Sequence, residues 1–428
     1  GVMSRIVLLA LTEGVGCGPQ GMIPLLNELE SSTHSALVRA GLPVEVVAVD
    51  NFLHDALRSR NMVVFLLMAS EVVLRAVEKK MQSDGGKLIT LSPSRNNRAG
   101  VLRRKRTIRV EHPPLALEVR RTPFRRASAR DWRGLLRIPR FYAVPSSAMN
   151  TETVGRWGRT EQPAITRRDR GALQTWAVGF EPSDLSADAM SRFMRLLVLN
   201  DSFQPQPSLP EQSRAVVMLL HDVEEALPSD KEGTETVRRG LEACLEAEGR
   251  QDIRATYNVV GTFASQIRDT LLRAVAEGHE IASHGFSHKV MADLNPDDLL
   301  GEVEGADSEI LRTLGARVRG FRSPRSRWSG PLLETLQRRG YLWNAEADSS
   351  LFPYSLTYDG SSSLVRIPVA VDDWDYVRHA ATPQAMTRMW MKQVRRAVAL
   401  QSWVAIGSHP SVLGVDSKRL SAFSRFVE

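Results

Sequence analysis

Five short polar clusters in the second half of this 428-residue chain each stand at the end of an apolar run. They are Leu219-Leu220-His221-Asp222-Val223-Glu224, Ser283-His284-Gly285-Phe286-Ser287-His288, Phe321-Arg322-Ser323-Pro324-Arg325, Ala347-Asp348-Ser349-Ser350 and Ile406-Gly407-Ser408-His409-Pro410. Carboxylates, a His-x-x-x-His pair, an arginine and a further histidine thus recur at the C-terminal edge of predicted strands. That edge is where α/β enzymes assemble their chemistry. The set points to a divalent metal with an acid and a base on either side of it.

His284 and His288 stand one helical turn apart, a spacing that lets two imidazoles face a common point about 2 Å from each nitrogen. The bland alternative is a pair of surface histidines in a loop. In Asp222-Val223-Glu224 the period of two along a strand turns Val223 into the packing and lets both carboxylates share one pocket. One would complete a two-histidine metal site and the other act as general base, the division of labour that hydrolysis by activated water requires. An acidic helix start before Glu225-Ala226 is the competing reading. His221 either lines the site or is a satisfied strand histidine. Arg322 is suited to hold the basic carboxylate ionised and oriented, with Pro324 fixing an extended turn beside it. Asp348, at a strand end, is expected to accept a proton from a histidine nitrogen, and His409 is the natural histidine and the candidate general acid. A structural ion pair or cap is the alternative for Arg322 and Asp348.

The elements that must position these groups read as repeated strand–helix units. Strands are predicted at 215–221, 255–260, 280–283, 318–322, 341–346, 364–370 and 403–408, and helices at 234–247, 266–277, 297–314, 330–339, 384–399 and 417–427. Seven or so β/α units in this length predict a small, distorted (β/α) barrel over 214–428. The first half, 1–200, also alternates: strands at 5–11, 44–49, 62–68, 87–91 and 173–180, helices at 24–40, 70–81 and 186–199. Short apolar runs between amphipathic helices predict an α/β domain with a doubly wound parallel sheet. Residues 201–213, rich in proline and poor in apolar groups, read as the linker.

These motifs carry a resemblance. Residues 214–428 resemble the polysaccharide deacetylases, carbohydrate esterase family four, which include the chitooligosaccharide deacetylases. Ala255-Thr256-Tyr257-Asn258-Val259-Val260-Gly261 and Gly278-His279-Glu280-Ile281-Ala282-Ser283-His284 look like that family's second strand and its entry to the histidine motif. The resemblance implies that Asp222 is the catalytic base, His284 and His288 metal ligands, Arg322 the arginine that holds the base, His409 the catalytic acid and Asp348 the carboxylate that tunes it. Two departures stand out. The commonest first motif has adjacent aspartates, whereas here a one-residue spacing would make Glu224 the carboxylate ligand. Arg325 stands where an aromatic often follows the proline. The implied cofactor is one divalent ion, Zn2+ first, with Co2+, Ni2+, Mn2+ or Fe2+ as alternatives. The implied substrate is an N-acetylated sugar or glycan, with Trp328, Trp343 and Trp374 as candidates for stacking on a sugar face. A hydrolase of a small acetylated natural product, ester or ring amide, and a non-catalytic glycan-binding or scaffolding protein, are the rival readings. Residues 5–200 resemble, by order of elements, a class I glutamine-amidotransferase-like domain. Its nucleophilic cysteine is absent, since Ser92-Pro93-Ser94-Arg95 follows the fourth strand, so a scaffold or substrate-shaping module is expected.

Bulk composition bounds the rest. Hydrophobic content of 43% and charged content of 25% are ordinary for a globular protein. The net charge of +7 is concentrated between Arg103 and Arg140, an electrostatic footprint without any nucleic-acid-binding motif, so no nucleic-acid partner is expected. Cys17 and Cys244 are too few for a disulfide framework. No apolar run reaches the length of a membrane span, and no signal-peptide pattern is visible. The default expectation is a cytoplasmic protein, or a secreted or periplasmic one if a leader has been removed.

Overall fold

Short runs of Val, Ile and Leu form the strands of this chain, and the helices between them bury one apolar stripe each. The structure is a computed structural model; it describes residues 5–11, 26, 28–54, 62–67, 69–91, 108–110, 151–157, 163–179, 194, 198, 209–210, 213–226, 230–348, 350–357, 363–374, 377 and 382–428. The basic stretch from Arg103 to Arg140, apart from 108–110, lies outside these residues, as do Cys17 and nearly all of the expected linker. The chain divides into two compact units, one of 1–13, 26–208 and 355–361, the other of 14–25, 209–354 and 362–428.

In the first unit the strands β1 (Arg5–Ala10), β2 (Val44–Ala48), β3 (Met62–Leu67), β4 (Gly86–Leu91) and β8 (Leu173–Val178) are parallel, in the order β2-β1-β3-β4-β8. The chain reverses its direction of travel across the sheet between β1 and β3, the mark of a doubly wound sheet. Val7, Leu9, Val47, Val64, Leu66 and Leu88 build its core with Phe52, Val77 and Met81 of the covering helices. Three strands not expected from the sequence, β5 (Ile108–Val110), β6 (Thr151–Trp157) and β7 (Pro163–Arg170), continue the sheet antiparallel beyond β8. At the opposite edge, β14 (Tyr354–Thr357) adds a parallel strand to β2, pairing Ser355 with Glu45 and Leu356 with Val46. The expected continuous second domain is therefore interrupted: residues 355–361 group with the first unit, and Ser355 and Leu356 pair with its sheet.

The second unit is a closed barrel of seven parallel strands with flanking helices. Around it run β9 (Val216–Val223), β10 (Thr256–Val259), β11 (Glu280–Ser283), β12 (Gly320–Arg322), β13 (Trp343–Ala347), β15 (Ser363–Val371) and β16 (Trp403–Ser408), and β16 closes on β9 from Trp403–Val216 to Ser408–His221. Alternation along the strands sorts two cores. Leu220, Ala345, Ile367, Val369 and Ala405 form one small cluster. Leu219, Val223, Tyr257, Ile281 and Ile406 join the helical residues Leu241, Leu245, Leu271, Ile310 and Trp390 in a larger one. Each buried Leu, Ile or Val among them contributes roughly 1.5–3 kcal/mol.

Helix starts follow local chemistry. Asn295, Thr382 and Asp416 each accept a backbone N–H from three residues on, with Pro296 and Pro383 at the first helical position. Gly240, on the helix Thr234–Arg250, lies so close to the chain after β16 that an added Cβ would stand 2.1 Å from the Pro410 carbonyl oxygen. That contact seats the segment following His409.

Candidate active site

Asp222 and Glu224 leave β9 on the side of Leu220, because Val223 is fully buried in the outer core. The Asp222 carboxylate is held at both oxygens. Asn258 Nδ2, from the neighbouring β10, donates to Oδ1 at 2.7 Å, and Arg322 Nε, from the end of β12, donates to Oδ2 at 2.6 Å. Burial pushes this carboxyl up, but the Arg322 guanidinium, with His284 and His409, overrides that and holds it below the usual carboxylate range. Asp222 is thus held ionised and oriented.

Glu224 faces the two histidines of the second cluster. Its Oε2 lies 2.6 Å from His288 Nε2 and 3.8 Å from His284 Nε2. Burial raises the Glu224 carboxyl, and the two imidazoles drive it well below its ordinary value. His284 Nδ1 donates to the Arg322 carbonyl at 2.8 Å, which fixes the tautomer and leaves the Nε2 lone pair free. The His288 Nε2 is buried yet out of line for any hydrogen bond. One ligand atom from each of Glu224, His284 and His288 lies within 4.8 Å of the others. An orphaned imidazole nitrogen, a free lone pair and a carboxylate aimed together fit a divalent ion, and the His2Glu donor set suits Zn2+ and neighbouring first-row ions.

The two imidazoles do not converge through a helix, as their spacing suggested. Ser283 ends β11, and the loop turns through Gly285 (φ 80°) and His288 (φ 58°). A histidine in the left-handed region is strained, and such strain collects at functional sites. Glu302 holds the loop, accepting from Phe286 N at 3.1 Å and Ser287 N at 2.8 Å.

His409 brings its Nε2 to 3.5 Å from Asp222 Oδ2. Its Nδ1 lies 2.6 Å from Asp373 Oδ1, and its backbone N–H donates to Asp373 Oδ2 at 2.8 Å. Burial would lower the imidazolium, but Asp373, then Glu224 and Asp222, push it up to about 10. The expected partner, Asp348, is elsewhere. It accepts from the Tyr354 hydroxyl and from Ser350 N, and burial raises its carboxyl. Asp348 lines a separate cavity with Leu351, Arg396 and Trp403. Strand order is the cause: Asp348 follows β13, whereas the strand beside β16 on that side is β15, so the carboxylate facing His409 comes from the end of β15. Val371-Asp372-Asp373 was a sixth strand-end cluster, visible in the sequence directly after a predicted strand.

Asp222, Glu224, His288, Arg322 and His409 line one cavity of about 480 Å³, joined by Asp372 and Trp374. His221 does not reach it. It is buried between Ser408 Oγ (2.7 Å) and Glu248 Oε1 (2.6 Å), the satisfied strand histidine. Of the three tryptophans, Trp374 lines the cavity edge-on to His409, with ring centroids 5.6 Å apart. Trp328 is buried under the Arg366 guanidinium, and Trp343 donates to Glu280. No helix among the described residues is long and apolar enough to cross a membrane.

Residues 233–342, which include Asn258, His284, His288 and Arg322, match the family model for polysaccharide deacetylase. The chain is similar to the chitooligosaccharide deacetylase of Bradyrhizobium sp. (strain ANU 289), 32% identical over 97 residues, 22% of this chain and 44% of the relative. It is also similar to that of Sinorhizobium fredii, 30% identical over 97 residues, 22% of this chain and 45% of the relative. It spans less than half the length of these curated relatives. A family 4 carbohydrate esterase from Streptomyces lividans, solved with acetate, aligns at a TM-score of 0.34 and 19% identity, over 50% of this chain and 86% of that one. Over residues 233–342 the second unit is thus similar to the polysaccharide deacetylases, and the strand-end clusters His284/His288 and Arg322 fall inside the matched segment.

Proposed function

We propose that the second unit hydrolyses the N-acetyl group of an amino sugar or N-acetylated glycan, with Glu224, His284 and His288 holding one divalent ion. The observation that carries this reading is the 3.5 Å approach of His409 Nε2 to Asp222 Oδ2, a low carboxylate facing a high imidazolium, beside the Glu224/His284/His288 set. When bound, the ion would supply Lewis acidity toward an acetyl carbonyl and acidify a water. Asp222 Oδ2 takes the proton of the attacking water while Arg322 and Asn258 keep the carboxylate oriented. His409 Nε2 delivers a proton to the departing amine nitrogen, and Asp373 holds the imidazole through Nδ1. Trp374 offers an apolar face for a sugar ring. Acetate and a free amine are the products. All described lining residues of the cavity belong to the second unit, so the first is assigned a non-catalytic, substrate-shaping or scaffolding part.

The test is elemental analysis of the purified chain together with acetate release over a panel of N-acetylated oligosaccharides and small acetylated sugars, esters and ring amides. Near-stoichiometric divalent metal and acetate release from the amino sugars are expected. Release only from small esters or amides would replace the glycan assignment. Substoichiometric metal with no release would leave a glycan-binding module.

A further inference from the structure

The charges around the cavity are paired almost throughout. Asp222 and Asp372 face Arg322, Glu224 faces His288, and His409 faces Asp373. Arg325 lines the same cavity, is exposed, and has no ion-pair or hydrogen-bonding partner among the described residues. Its neighbour Arg327 is spent on Asp293 at 2.9 Å. Arg325 is also placed by a costly backbone: it and Ser326 are both left-handed, at φ 58° and 52°. A non-glycine residue persists there only when its surroundings over-determine it, and here they do. Pro324 and Ser326 are buried, Glu346 accepts from Ser323 N at 3.0 Å, and Trp328 packs under Arg366. The loop is braced so as to hold a guanidinium at the mouth of the cavity.

We infer that Arg325 is a specificity-determining residue that binds a carboxylate on the sugar, or on the sugar adjoining it, that carries the N-acetyl group. The inference rests on the proposed deacetylase reading and adds a substrate class to it: acidic N-acetylated saccharides over neutral ones. A guanidinium presents two parallel N–H donors that match a carboxylate's oxygens. A carboxylate is favoured over a phosphate because, among the described residues lining the cavity, the other uncommitted charge is the exposed carboxylate of Glu225.

The experiment is calorimetric binding to the full, metal-loaded chain carrying Asp222→Asn, so that turnover is not needed. The probes are an N-acetylglucosamine tetramer, the same tetramer with one neighbouring residue oxidised to the uronic acid, and the same tetramer phosphorylated at that position. The acidic tetramer should bind about tenfold or more tighter than the neutral one, the scale of a charge-assisted pair, and less so at high salt. Adding Arg325→Ala should bring that ratio close to one, Arg325→Lys should keep part of it, and Glu225→Gln should raise it. Equal binding of acidic and neutral tetramers, or a preference that survives Arg325→Ala, overturns the inference, and tighter binding of the phosphorylated tetramer overturns its carboxylate form. Acetate release by the unsubstituted enzyme, run on the same tetramers, separately reports whether the deacetylase reading stands.

Discussion

Asp373 and His409, 36 positions apart, make two contacts with each other: one carboxylate accepts both the backbone N–H of His409 at 2.8 Å and its Nδ1–H at 2.6 Å. The ring is thereby fixed in position and in tautomer, with Nε2 directed at Asp222. The strand ends of β15 and β16 are neighbours, so the pair is a direct product of the barrel's strand order.

That pair sets the pH dependence. In the proposed mechanism His409 must be protonated to donate, so the rate is expected to persist below its raised pKa of about 10 and to be lost as pH climbs through it. The acid limb belongs to Asp222, whose lowered pKa keeps the base ionised below the usual carboxylate range. Asp373→Asn removes the largest raising influence and should move the alkaline limb to lower pH, whereas Asp348→Asn should leave that limb in place. A pH profile of kcat/KM for the two variants separates them; a shift in Asp348→Asn alone would reverse the assignment.

The metal site gives a second expectation. His284→Ala and His288→Ala should each remove most bound divalent metal and nearly all acetate release, with circular dichroism unchanged. Full metal occupancy in the double variant would rule out this site.

The two carboxylates of β9 should respond differently. Asp222→Asn is expected to keep its metal and lose about 100-fold or more in kcat, the scale of a removed general base. Glu224→Gln should lose metal affinity first and regain part of its activity in excess metal. Metal loss in Asp222→Asn with an unaffected Glu224→Gln would exchange their parts.

Gly407 tests the packing behind the site. A Cβ there would lie 2.9 Å from Asp372 Cβ and 3.5 Å from Arg322 Nη2. Gly407→Ala should destabilise by about 1–3 kcal/mol, as overpacking does, and depress kcat by displacing the Arg322–Asp372 pair. Thermal unfolding and kinetics check both; an unchanged Tm and kcat would show that Asp372 moves aside freely.

Much of the barrel was legible because its strands are short apolar runs, its helices carry local caps, and reactive groups fall where strands end. Asp222, Glu224, His284, His288, Arg322 and His409 were found that way. Asp348 was misassigned because the sequence gives strand ends but not which strands adjoin, and only the closed order β13-β15-β16-β9 decides who faces His409. Asn258 went unnoticed because a neutral amide inside an apolar strand carries no sign of the carboxylate it will meet on β10's neighbour. The left-handed turn at His288 was hidden by a spacing equally suited to a helix.

The late strand β14 has a consequence for synthesis. Glu45 and its partner Ser355 are made far apart in time; at about 5–20 residues per second the β2 edge waits on the order of tens of seconds for its neighbour. Throughout that interval the nascent first sheet presents an unpaired parallel edge, a template for foreign strands. A ribosome that stops after β8 but before β14 therefore releases a chain whose first sheet still has that edge open, and such fragments should aggregate.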